Sequence, residues 1–380
     1  MSLMNKTGLY IHVPFCRSKC YYCDFNSYVG KLDLAEEYFD CMKKEIDLYR
    51  GQMVYNIIDT IFIGGGTPSC VDHRLIGEIL KTCRERLNVS ESCEISIESN
   101  PGTLDPEKLQ AYREYGINRI SIGLQAYQGK LLQYLGRQHT TDDFVSSIKM
   151  AKEAGFKNIN ADVIFGIPGQ TIEDWKETMK ALAELDVTHI SAYSLKIEEG
   201  TRFGEMLETG GLIEIEDELD REMYHYTIEF LREKGYNQYE LSNFAKKGYE
   251  CQHNLIYWNC TEYLGLGAGA HSLLQDIRFE NQAAIEGYMD YLKNGQKPVE
   301  ERFARDFCEK MSEYMFLGLR LLKGVSKTDF EELFNQNMFV TYAEKINRLK
   351  NKGLIETDGE RIWLTGLGLD LANQVFVEFV

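Results

Sequence analysis

Cys16, Cys20 and Cys23 stand in a C-x3-C-x2-C pattern within FCRSKCYYCDF, residues 15–25, beside Pro14, Phe15, Tyr21, Tyr22 and Phe25. Thiolates are soft ligands, suited to zinc or to iron–sulfur clusters. A structural zinc wants a fourth ligand. The nearest donors are His12, which a strand would aim elsewhere, and Asp24. A 4Fe-4S cluster held by three thiolates instead leaves one iron open to an outside ligand.

More residues able to do chemistry follow later apolar runs. In GGGTP (64–68), three glycines permit close backbone approach. Glu98 closes EISIES, where an unpaired carboxylate is either solvated or meets a cation or ribose hydroxyls. On residue type alone, Gln125 in SIGLQ is a polar strand end, Arg137 in LGRQHT a surface cation, and Asp162 in ADVIFGIPGQT a capping or barrel-mouth carboxylate. His253 opens HNLIYW (253–258). It is either a hydrogen-bonded loop anchor or an axial iron ligand, with Tyr257 and Trp258 stacking on a porphyrin face. His271, at the end of YLGLGAGAHS (263–272), is an alternative ligand, and Gly265, Gly267 and Gly269 there shape a tight loop. Tyr239 and Glu240 in NQYELSNFA are placed at the same mouth.

These residues need a scaffold that gathers loops from distant positions. β-rich runs recur at 8–13, 57–63, 94–99, 119–125, 158–166 and 189–195, and helical patterns at 34–50, 107–116 and 142–155 lie between them. Strand alternating with helix predicts a parallel sheet. The polar residues fall just after the strands, as on the active face of a β/α barrel. Six units are fewer than eight, so the expected α/β fold is an open, partial (β/α)6 barrel, with a doubly wound sheet as competitor. Beyond about 300 the pattern turns helical and ends in a hairpin at Asp358-Gly359, resembling a small winged-helix module. Residues 304–380 carry 10 Lys/Arg and 12 Asp/Glu, a net of −2, which favours a lid or docking role over DNA binding. The expected division is 1–275 and 276–380.

Composition narrows the function classes. A formal net charge of −17 repels a phosphate backbone, and no basic patch offsets it, so no nucleic-acid partner is expected. No segment approaches the roughly 20 apolar residues of a bilayer span; peripheral membrane contact is left open. Ten cysteines without a signal peptide point to a reducing compartment, the cytoplasm. Met1-Ser2-Leu3-Met4 reads as a cloning scar with the native start at Met4.

The cysteine spacing resembles the radical S-adenosylmethionine (SAM) superfamily, in which SAM chelates the open iron and its reductive cleavage yields methionine and a 5′-deoxyadenosyl radical. By that resemblance Cys16, Cys20 and Cys23 hold a 4Fe-4S cluster. Gly65, Gly66, Thr67, Glu98, Gln125, Arg137 and Asp162 hold SAM, with Tyr10 and Tyr22 near it or packed on the cluster. LYIHVPFC, GGGTP, SIGLQ, LGRQHT, DVIFGIPGQT and EYMFLGLRL extend the resemblance nearly end to end, to the oxygen-independent coproporphyrinogen III oxidase (HemN-like) family. Three features are similar to its HemW-type heme chaperones rather than to its true oxidases. Asp24-Phe25 stands where the oxidases resemble C-x-C, the first strand begins near residue 8 without the oxidases' N-terminal extension, and HNLIYW matches an HNxxYW heme-binding motif. The resemblance implies a carrier that binds the cluster, SAM and heme, contacts heme through His253, Asn254, Tyr257 and Trp258, and delivers it to apo-hemoproteins. The alternatives are an oxygen-independent coproporphyrinogen III dehydrogenase on the same machinery and a zinc-bound protein without radical chemistry.

Overall fold

The structure, a computed structural model, describes residues 5–380, so the expected start at Met4 lies outside the described residues. Strands β1 (Asn5–Val13), β2 (Asn56–Gly65), β3 (Val89–Ser99), β4 (Arg119–Gln125), β5 (Asn158–Phe165) and β6 (His189–Ser194) lie side by side in sequence order, all parallel. Their β-branched, apolar runs suit strands covered on both faces. Helices α1 (Ala35–Tyr49), α2 (His73–Arg86), α3 (Pro106–Glu114), α4 (Thr141–Glu153) and α5 (Ile172–Glu184) cross between them. Capping boxes at Thr140/Asp143 and Thr171/Asp174 start α4 and α5 sharply, which fixes the loops that carry Arg137 and the IPGQT turn.

The sheet continues beyond the six units at both edges. Past β6 come the antiparallel β7 (Asn237–Glu240) and β8 (Asn243–Ala245). Beside β1 runs a further parallel strand, β9 (Tyr263–Leu266), followed by antiparallel β10 (His271–Leu274), β11 (Ile277–Asn281) and β12 (Val299–Ala304). Among the described residues the sheet has twelve strands, ends at β12 on one side and β7 on the other and does not close, so the partial barrel is the architecture found. Residues 263–266, expected in a loop, form a strand instead. Gly265 is what lets the following chain return so tightly, since a Cβ there would sit 2.2 Å from the His271 carbonyl oxygen.

The division expected at 275 falls inside the β10–β11 hairpin. Ile285, Tyr288, Met289 and Leu292 also join the main core, whereas a separate core begins at Met311 and runs to Phe379. The barrel layer therefore extends to about residue 305. The second unit packs helices Phe307–Gly318, Lys327–Phe334 and Ala343–Asn351 on a three-stranded sheet. Its hairpin Ile355–Thr357/Arg361–Leu364 turns at Asp358-Gly359 as the sequence indicates. Among the described residues no helix is long and apolar enough to cross a membrane.

Candidate functional site

The C-terminal ends of the parallel strands open on one cavity of about 940 Å³. Its wall carries Cys16, Cys20 and Cys23 together with Tyr22, Gly65, Gly66, Thr67, Glu98, Gln125, Arg137 and Asp162. Residues from five successive strands and the loops that follow them are thus brought to one face.

The GGGT segment is built by close approach. Gly66 N–H donates to Val13 O and Thr67 N–H to Phe15 O, both at 2.8 Å, which clamps the chain just before Cys16. A Cβ on Gly66 would lie 2.7 Å from Phe15 O. Gly65 has φ +107°, and a Cβ there would meet the His12 ring at 2.5 Å. The Thr67 hydroxyl lies 3.4 Å from Cys16 Sγ and accepts a hydrogen bond from Asn100 Nδ2 at 3.0 Å. Arg137 completes this frame, donating to Asn100 Oδ1 (2.6 Å), Gly123 O (3.0 Å) and Cys20 Sγ (3.5 Å). Gln125 stands at φ +68°, a left-handed conformation uncommon for a residue other than glycine, beside a register shift that turns its side chain to the cavity.

Two carboxylates face the same space. Asp162 is held by Ser121 Oγ (2.5 Å) and Asn160 Nδ2 (2.8 Å). Among the described residues, Glu98 receives one hydrogen bond, from Gly65 N–H at 3.2 Å. Burial, and then the charge of Asp162, push the Glu98 carboxyl up to about 8. Such a group is poised to gain a cationic or hydroxyl-bearing partner.

All ten cysteines are free thiols. Among the described residues no three His, Cys, Asp or Glu side chains are gathered closely enough to hold one metal ion. The three loop thiols all line the cavity wall. That arrangement fits a group whose separate irons each take one thiolate, with Arg137 and Thr67 offering hydrogen bonds to two of the sulfurs. His12 is not a fourth ligand: it is bonded to Asn26 O at 2.8 Å and Tyr10 OH at 3.0 Å. Those contacts turn Tyr10 into the barrel interior, so Tyr10, unlike Tyr22, does not line the cavity.

HNLIYW is a helix, Gln252–Trp258, and not a loop. His253 is 1% exposed and both ring nitrogens are engaged, Nδ1 with Thr60 Oγ1 at 2.8 Å and Nε2 with Tyr257 OH at 2.9 Å. Burial lowers its pKa to about 3, so the ring is neutral. This is the anchor reading of the motif: the expected open imidazole is not offered to the cavity, and none of the four motif residues lines it. Tyr257 packs edge-on to Tyr263, while the Trp258 ring lies under the Arg320 guanidinium at 4.4 Å. His271 is exposed beside Glu280 on β10, away from the cavity. Tyr239 and Glu240, expected at the mouth, are internal: Tyr239 OH meets His189 Nε2 at 2.9 Å, and Glu240 is 1% exposed, bonded to Ser242 N–H and Asn243.

Residues not singled out in the sequence also shape the site. Asn100 follows Glu98 in ESNP, and its place at a strand end was the available signal. Residues 369–374 of the C-terminal unit wall the cavity from the far side, where Asp370 meets His225 at 2.8 Å and Arg221 at 3.7 Å. The module expected as a lid thus contributes a wall of the cavity.

Residues 10–182 match the radical SAM superfamily and residues 308–371 the HemN C-terminal domain. The chain is 36% identical to the heme chaperone HemW of Bacillus subtilis, covering 98% of both chains. It is 35% identical to that of Lactococcus lactis (100% of this chain, 98% of the relative) and 34% to that of Escherichia coli (85% of each). Among solved structures, the Escherichia coli coproporphyrinogen III oxidase HemN, a radical SAM enzyme, superimposes with a TM-score of 0.87 at 23% identity. That match covers 99% of this chain and 90% of the other and establishes the shared fold. Identity of this level along the whole chain, on this fold, makes the protein a member of the HemW heme chaperone family of the radical SAM superfamily.

Proposed function

We propose that the protein is a heme chaperone on a radical SAM scaffold, which binds a 4Fe-4S cluster, SAM and one heme and passes the heme to recipient apo-hemoproteins in the cytoplasm. The observation that carries this reading is the single cavity. One half gathers the three thiols and the glycine, carboxylate and arginine groups. The other half, bounded by Tyr193, Lys196, Arg320 and residues 369–374, is left for a second ligand. A volume of about 940 Å³ stands at the upper end of ligand sites.

Cys16, Cys20 and Cys23 would hold the cluster; Gly65, Gly66, Thr67, Glu98, Gln125, Arg137 and Asp162 would hold SAM, with Tyr22 against the cluster loop. When bound, the cluster and SAM together supply one-electron chemistry. The chain's own part is positioning. Arg137 neutralises charge at Cys20, Asn100 ties Arg137 to Thr67, and Thr67 meets Cys16. Glu98 and Asp162 offer acceptors to an ammonium or to ribose hydroxyls, and the 369–374 segment limits water on the open side. His253, Asn254, Tyr257 and Trp258 serve heme from behind the wall: His253 fixes their helix to β2 and Trp258 supports Arg320. Ten unpaired thiols are in keeping with a reducing compartment.

The test is titration of heme into the anaerobically reconstituted full chain, followed in the Soret band, beside a coproporphyrinogen conversion assay. Saturable one-to-one binding without conversion is the expected result. Formation of protoporphyrinogen with methionine and deoxyadenosine would establish the dehydrogenase instead. Zinc in place of iron and sulfide would remove both readings.

A further inference from the structure

Five cationic side chains line the cavity: Lys19, Arg137, Lys196, Arg221 and Arg320. Three are committed. Lys19 donates to Phe25 O (2.6 Å) and Ser27 Oγ (2.8 Å), Arg137 to Cys20, Asn100 and Gly123, and Arg221 pairs with Asp370. Lys196 is exposed on a flexible stem. Arg320 differs from all four. It is half-buried, its guanidinium rests 4.4 Å from the Trp258 ring centre and 5.8 Å from that of Phe376, and among the described residues no hydrogen bond or ion pair of that guanidinium is found. Its Nε is buried without a partner. Glu240, the nearby carboxyl, forms no ion pair with it, does not line the cavity, and spends one oxygen on Ser242 N–H and Asn243. A guanidinium preset by aromatic stacking, with free donors at a cavity wall, is a receptor for a planar, two-oxygen anion.

The rest of that wall supplies the other half of an amphipathic ligand. Phe25 is 58% exposed and Tyr193 41% exposed, both lining the cavity, and Leu241, Leu369 and Leu371 add apolar surface. Heme combines these needs: an apolar macrocycle and propionate carboxylates ionised at neutral pH.

We infer that Arg320 binds a propionate of the heme at the seam between barrel and C-terminal unit, with Trp258 as the positioning residue that holds its guanidinium. The inference rests on the heme reading above. It also explains what the HNLIYW helix does from behind the wall. His253 and Tyr257 lock the helix to the barrel, and its last residue, Trp258, presents Arg320, from a distant part of the chain, to the cavity.

The test compares heme with heme dimethyl ester, whose propionates are uncharged, on the reconstituted full chain and on Arg320→Gln, Arg320→Lys and Trp258→Leu. Wild type is expected to prefer heme over the ester by tenfold or more, about the effect of one charge-assisted pair. Arg320→Gln should lose that preference while binding the ester as wild type does, which also shows the variant is folded. Arg320→Lys should keep part of the preference, and Trp258→Leu should reduce it. An undiminished preference in Arg320→Gln overturns the inference and leaves the heme reading standing. An equal fall for heme and ester in all three variants assigns Arg320 a structural role and also overturns it. Wild type that binds neither porphyrin removes the heme reading itself.

Discussion

Arg137 donates to the Cys20 sulfur at 3.5 Å while its other terminal nitrogen holds Asn100. A fixed positive charge beside one thiolate stabilises the more negative, reduced state of a cluster. Arg137→Leu is therefore expected to lower the reduction potential of the reconstituted cluster. An EPR-monitored redox titration reads it directly, and a potential equal to wild type at full iron content would show that the contact has no electronic role.

Gly65 and Gly169 both have positive φ, +107° and +80°, but only Gly65 is crowded, by the His12 ring. Gly169→Ala should cost about 1 kcal/mol, from backbone strain alone. Gly65→Ala adds overpacking and should cost about 3 kcal/mol, with loss of SAM binding. Denaturant unfolding of the two variants side by side measures the difference, and equal costs would mean that the His12 contact relaxes freely.

Burial raises the Glu98 carboxyl to about 8 and the Glu45 carboxyl to about 7. A folded pKa above the unfolded one means that the folded state holds the proton more tightly. The stability each group contributes is thus fully present below the usual carboxylate pKa and lost as pH rises through 7 to 8. Above pH 6.5, where the buried histidines are neutral in both states, the ligand-free protein should lose thermal stability up to pH 8, and Glu98→Gln, which can still accept Gly65 N–H, should flatten that loss. A profile for Glu98→Gln parallel to wild type would assign the loss elsewhere.

Glu45 also ties the cluster loop to the back of the barrel. It accepts from Gly267 N–H (2.9 Å), Asn281 Nδ2 (2.6 Å) and Tyr288 OH (2.6 Å). Next to Gly267, Ala268 N–H donates to Tyr38 OH, which donates to His12 O, and Ala268 O accepts from Asn26 in the cysteine loop. Glu45→Ala strands three buried donors and should cost about 3 kcal/mol. It should also speed iron loss on chelator challenge; unchanged iron retention in the destabilised variant would uncouple the network from the loop.

Much of this site was legible because its signals are local. The cysteine spacing lies within eight residues, Glu98 and Gln125 stand at strand ends, and Asp162 lies inside a strand, all on β-branched runs that are unmistakable. The extent of the barrel layer was hidden in β12, VEERFA, an edge strand with no buried residue and hence no hydrophobic alternation. β9 carries a glycine that reads as a turn until its hairpin partner is known. Arg320 and Trp258 meet across two units, and no spacing rule links them. For His253 the sequence offered both anchor and ligand and could not choose between them, since Thr60, which takes one of its nitrogens, lies 193 positions away.

His253 supplies the sharpest separation between anchor and ligand. Its pKa of about 3 lies below the unfolded value of 6.5, so the folded state refuses a proton that the unfolded chain accepts. Its stabilisation is present above 6.5 and lost as pH falls toward 3. His253→Ala leaves Thr60 Oγ1 and Tyr257 OH without their partner and opens a void, at a cost of about 3 kcal/mol. His253→Gln, which can both donate and accept, should restore part of that stability and remove part of the acid sensitivity. An anchor tolerates this exchange, whereas an axial ligand does not, because a carboxamide is a far poorer iron ligand than imidazole. His253→Gln should therefore retain saturable heme binding with an unshifted Soret maximum. A variant of near-native stability that binds heme with a shifted Soret band, or not at all, would show that the helix opens and that His253 leaves Thr60 to take the iron.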